Sequence, residues 1–111
     1  NTLRVIKEVE SLADKPHKAK DIKVIPDIEM GQIITDTTPI LSAKIEGSNI
    51  DIDKFRIIMD GIAYKPNYNE KQSTITLEVK NKLIEKFHVV TFEAVKRDGS
   101  IIRETRIFYI K

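Results

Sequence analysis

The stretch FRIIMDGIAYK, residues 55–65, sets Asp60-Gly61 between two apolar runs, and its reading decides the fold. Phe55, Ile57 and Met59 alternate with Arg56, Ile58 and Asp60, a period of two that sends neighbouring side chains to opposite sides of an extended strand. Asp-Gly tolerates the positive φ of a tight hairpin turn, whose twist matches that of the strands it joins. The stretch predicts a strand, a corner and a second strand, not a piece of chemistry.

The same alternation recurs on both sides of it. In PILSAKIEG (39–47) Leu41, Ala43 and Ile45 share a face; in TITLEVK (74–80) Ile75, Leu77 and Val79 do; HVVTFEAVK (88–96) gives Val90, Phe92 and Ala94, and RETRIFYIK (103–111) gives Phe108 and Ile110. Each reads as a half-buried strand of an antiparallel sheet. An inward charge such as Leu77→Asp is expected to unfold the domain, whereas Thr76→Asp costs little. The breaks between strands are EGSN (46–49), KPNYNEKQ (65–72) and a second corner at Asp98-Gly99. With turn signals about every 10 to 15 residues and no amphipathic helix, the pattern predicts an all-β antiparallel sandwich of about seven strands in a Greek-key arrangement. IKVIPDIEMGQII (22–34) carries Pro26 and Gly31 and predicts a broken edge strand that switches between sheets. TLRVIKEVE (2–10) leans to strand through its β-branched residues, and ADKPHKAKD (13–21) reads as a linker.

A chain of 111 residues that is 41% hydrophobic supports one core. Its 19 Lys and Arg nearly balance its 17 Asp and Glu, with the signs interspersed, so nucleic acid is not an expected partner. There is no Cys for a disulfide, a thiolate nucleophile or a zinc site. No apolar run approaches the roughly 18 residues that span a bilayer, so this segment is not expected to insert into a membrane. The chain opens at Asn1 instead of Met, which suggests a slice of something longer.

TTPILSAKIEGSNIDIDKFRIIMDG (37–61), STITLEVKNKL (73–83) and FHVVTFEAVKRDGS (87–100) resemble the immunoglobulin-like repeats of bacterial secreted and cell-surface proteins. The positions that carry the likeness are Pro39, Asp60, Gly61, Leu83 and His88. The resemblance covers roughly residues 22–111 and implies an immunoglobulin-like domain there. NTLRVIKEVE (1–10) is similar to the last strand of a preceding repeat, which makes residues 1–21 an N-terminal segment and linker. It further implies an extracellular or cell-envelope location and a non-catalytic structural or interaction module of the spacer or adhesin type. Its partners would be neighbouring domains of the same chain, with a surface protein or a glycan as further candidates. The alternative is an accessory carbohydrate-binding module of a polysaccharide-active enzyme.

Four residues stand out as candidate sites. Tyr64 and Tyr68 flank Pro66-Asn67 and could form a small stacking platform for a sugar, although there is no Trp. Asp51 and Asp53 fall, with Asn49 and Asp60, at calcium-loop spacing, but position 6 of such a loop is Lys54 in place of Gly; capping of a single turn is the competing reading. Of the two histidines, His17 lies in the linker and His88 opens a strand, with no third group in sequence to make either a catalytic base. No catalytic residue and no cofactor is expected. Ile58, Val89, Val95 and Ile107 break the polar alternation on the outward side, a surplus that suits a contact surface.

Overall fold

The computed structural model describes residues 22–111. The readings of residues 1–21 as a linker and a preceding strand, and His17 with them, lie outside the described residues. The strands in chain order are β1 (Lys23–Pro26), β2 (Gln32–Ile34), β3 (Ile40–Glu46), β4 (Arg56–Met59), β5 (Ile62–Tyr64), β6 (Asn67–Asn69), β7 (Thr74–Glu78), β8 (Phe87–Val95) and β9 (Ile101–Ile110). They form two sheets, ordered β1-β3-β7-β6 and β2-β9-β8-β4-β5. This is the order of an immunoglobulin-type sandwich, ABED facing a sheet built on GFC. The excess over seven strands consists of short pieces: β2, β5 and β6 have three residues each.

The alternating residues meet between the sheets. Leu41, Ala43 and Ile45 from β3 and Ile75 from β7 face Ile57 and Met59 from β4, Val90, Phe92 and Ala94 from β8, and Phe108 and Ile110 from β9. Removing each large side chain from water contributes about 1.5–3 kcal/mol against the entropy of ordering the chain. Leu77 is only half-buried, because β7 has an open flank beyond it.

The broken strand does switch sheets: β1 pairs antiparallel with β3, and β2 runs parallel to β9 with Ile33 opposite Tyr109. This parallel pair departs from the expected all-antiparallel pattern. Pro26 ends β1, the next amide of Asp27 donates to the Ser42 carbonyl, and Gly31 at φ 80° turns the chain so that its N–H reaches Ile107. At the opening corner, Asp60 (φ 50°) and Gly61 (φ 86°) are both left-handed and join Met59 to its partner Ile62, a type I′ hairpin turn. Among the described residues no helix is long and apolar enough to cross a membrane.

Candidate functional site

The outer face of the five-stranded sheet follows from register alone. Side chains on odd positions of β8 and β9 and even positions of β4 point away from the core, so the rows across the strands can be read directly. The first row is Ile33, Tyr109, Phe87, and the second is Ile107 beside Val89. The third is Thr105, Thr91, Ile58, with the two threonine hydroxyls 2.9 Å apart. The fourth is Arg103, Glu93, Arg56, and the fifth Ile101 beside Val95. The first two rows make one end of the face apolar, and the charged row lies just inside the other end. The apolar end is open to water: Ile33 is 60% exposed, Phe87 64%, Val89 42% and Ile107 39%, with the exposed Met30 alongside. Phe87 and Tyr109 meet edge to face with ring centroids 4.9 Å apart, so the band is ordered.

The charged row holds a buried carboxylate. Arg56 Nη2 donates to both oxygens of Glu93, at 3.0 and 3.1 Å, and Arg103 Nε lies 3.7 Å away on the other side. The Glu93 side chain is 1% exposed while both arginines are about half exposed, consistent with their stems covering the carboxylate. Beside this row a cleft of 580 Å³ opens, with Val95, Ile101 and Ala63 as an apolar floor and Lys54, Arg56 and Lys65 as cations around it.

At the opposite end of β4, Asp60 pins the corner to the next strand. Its Oδ1 accepts the N–H of Val89 at 2.9 Å, and its Oδ2 lies 2.6 Å from Nδ1 of His88. The other ring nitrogen, Nε2, is 2.8 Å from the Ile84 carbonyl, which can only accept, so Nε2 carries a hydrogen and donates it. The ring is 2% exposed and stacks on Phe108. Burial works against the charge on Asp60, but the hydrogen bonds from His88 and from the Val89 amide, with the nearby Lys86 charge, hold its carboxyl below the usual range.

The sequence-predicted residues scatter. Tyr64 is on β5 of the five-stranded sheet and lines the cleft beside Arg56, whereas Tyr68 is on β6 of the other sheet, half-buried with its ring 4.8 Å from Phe55. The structure does not bring them together as one platform. Asp53 also lines the cleft. Asp51 Oδ1 accepts the Asp53 N–H at 3.1 Å and its Oδ2 lies 3.8 Å from Lys54 Nζ, a turn-forming arrangement. Asp60, at the far end of β4, is no neighbour of either. Among the described residues no group of three or more His, Cys, Asp and Glu side chains is placed to hold a metal ion. Of the outward apolar residues, Val89 and Ile107 are exposed side by side, but Val95 is buried, beside the amide of Asp51 that donates to its carbonyl. The buried Glu93 was missed. Its signal is an arginine directly opposite on each flanking strand, visible only once register is known.

No family model matches the chain, and no curated protein does. Among solved structures the fold is similar to that of CopC from Methylosinus trichosporium OB3b, with a TM-score of 0.62 and 13% identity over 80% of this chain and 94% of that one. This corrects the functional expectation. The sandwich is shared with CopC, so the likeness is not specific to immunoglobulin-like surface repeats, and the spacer- or adhesin-type module and its alternative, the accessory carbohydrate-binding module, are set aside. Soft metal ions favour imidazole, thioether and thiolate ligands, and the described residues present no such set. Both nitrogens of His88 are engaged, Met59 is buried in the core, the Met30 sulfur takes the Ile107 N–H, and the chain has no Cys. At 13% identity, what the two proteins share is the fold.

Proposed function

We propose that the domain is a non-enzymatic binding domain of the cell envelope that seats a partner protein on the outer face of its five-stranded sheet. The observation that carries this is the exposed band of Ile33, Phe87, Val89, Ile107 and Tyr109, contiguous across three strands. Isolated exposed apolar residues are ordinary, but a continuous band leaves water against apolar surface that a partner would release. Beyond the intervening row of Thr105, Thr91 and Ile58 on the same face stand Arg56 and Arg103, each about half exposed, with one carboxylate between them. The face is complementary to a partner with an apolar centre and an acidic border, the border serving orientation more than affinity.

The test is a photo-crosslinking residue placed at Val89, with a control at Thr76 on the outer face of the other sheet. A discrete cross-linked protein at 89, absent at 76 and lost on Phe87→Glu, is the expected result. Equal cross-linking at both positions, or adducts only with further copies of the chain, would overturn the reading.

A further inference from the structure

A second concavity lies away from that face. Where edge strand β5 passes β7 the two sheets part, and a cavity of 400 Å³ opens between them. Its wall is Met59, Leu77, Val79 and Leu83, with Tyr64 beside them, and it reaches the core, since Met59 and Val79 are buried and Leu77 and Leu83 pack against the buried cluster. Its volume falls within the roughly 300–1,000 Å³ of small-molecule sites, and its apolar wall is bordered by the exposed polar residues Glu78, Lys80, Asn81 and Lys82.

The site is pre-formed. Segment 79–83 is tied down at both ends, Val79 N–H to the Pro39 carbonyl at 3.1 Å and Leu83 N–H to the Thr37 carbonyl at 2.8 Å. Lys80 and Lys82, which also line the cavity, lie between these ties. Both are exposed, and among the described residues neither has a carboxylate partner within ion-pair distance. Glu78 also borders the cavity, so its rim carries two lysines against one carboxylate. The opening thus combines an apolar interior with a net positive lip.

We infer that this cavity binds a small amphipathic acid, its apolar body between the sheets and its anionic head against Lys80 and Lys82. Neutral or cationic amphiphiles of equal length are disfavoured, because only an anion gains from the lip. The site is independent of the docking face, which lies on the outside of the other sheet.

The experiment titrates decanoate, decanol and decylammonium below their micellar concentrations into the full 111-residue chain and follows amide and methyl NMR shifts. Saturable shifts at Met59, Leu77, Val79 and Leu83 are expected, with decanoate at least tenfold tighter than decylammonium. Affinity should fall by up to about fourfold for each methylene removed from the acid. Lys80→Glu/Lys82→Glu, at exposed positions, should keep the fold and reverse the order of acid and amine, and Leu77→Trp should abolish binding by filling the space. The inference is overturned if no saturable shift occurs, if the shifts fall on Phe87, Val89 and Ile107, or if the lysine variant leaves the order unchanged.

Discussion

Two polar side chains are buried among the described core residues, and both are tied across strands. His88 satisfies the Ile84 carbonyl and the Asp60 carboxylate at once, and Asp60 also takes the Val89 amide, so one corner, one loop and the start of β8 are fixed together. A buried acceptor left without its partner costs about 1–3 kcal/mol, so the pair is worth more as a lock than as a surface ion pair. Asp60→Asn keeps a residue that tolerates the left-handed corner and removes the charge. Because the folded carboxyl titrates below its unfolded value, its contribution is fully present above the unfolded pKa of about 3.9 and is lost as pH falls through the folded value. At pH 7 the variant should therefore be less stable by about 1–2 kcal/mol, the low end for charged hydrogen bonds because the Asp60 side chain is a third exposed. Melting curves from pH 7 down to pH 2 should show the gap between the two proteins closing in acid. A gap that persists at pH 2 would mean that the loss lies in the hydrogen-bond geometry at His88 and Val89 and not in the charge.

At the scale of strands, periodicity made most of the sandwich legible. The inward sets on β3, β4, β8 and β9 are buried as the alternation requires, both Asp-Gly corners are turns, and the Pro26–Gly31 interruption moves the chain from one sheet to the other. In the second corner Asp98 accepts the Ser100 amide at 2.8 Å, and this hydrogen bond from Ser100 lowers the Asp98 pKa. What the alternation could not give is neighbourhood. Whether Arg56 and Arg103 flank Glu93, or whether Tyr64 and Tyr68 share a sheet, depends on register and strand order, which are set by long-range pairing. It also could not tell the centre of a strand from an open flank, and this relocates the test of the inward face. Leu77 borders the flank cavity and is half-buried, whereas Ile75 is fully buried between Ala43 and Tyr68 in the ladder. Ile75→Asp should unfold the domain, since a buried unpaired charge costs several kcal/mol, while Thr76→Asp on the outer face should lower the melting temperature by only a few degrees. Equal losses in the two variants would show that the sheet does not present its faces as described.

For the molecule as a whole, the pairing of early with late strands makes the sandwich cooperative. β2 runs beside β9, the Lys111 amide donates to Ile34, and the Ile110 amide donates to Lys86, so the ends of the described domain close on each other. Within this unit β8 sits centrally, flanked by β9 and β4, and carries Val90, Phe92 and Ala94 at zero exposure. β5 is its opposite: a three-residue edge strand, exposed along its length, lying between the cleft beside Glu93 and the cavity lined by Leu77. Local opening follows such differences in burial and backbone exposure, and binding surfaces are drawn from the weakly held end. Amide exchange should accordingly be slowest at Val90, Phe92 and Ala94, where only global unfolding exposes the hydrogen bonds, and faster by orders of magnitude at Ile62, Ala63 and Tyr64. If β5 exchanged as slowly as β8, the flank would be as rigid as the sheet centre, whereas fast exchange there gives both concavities a movable wall on a fixed frame.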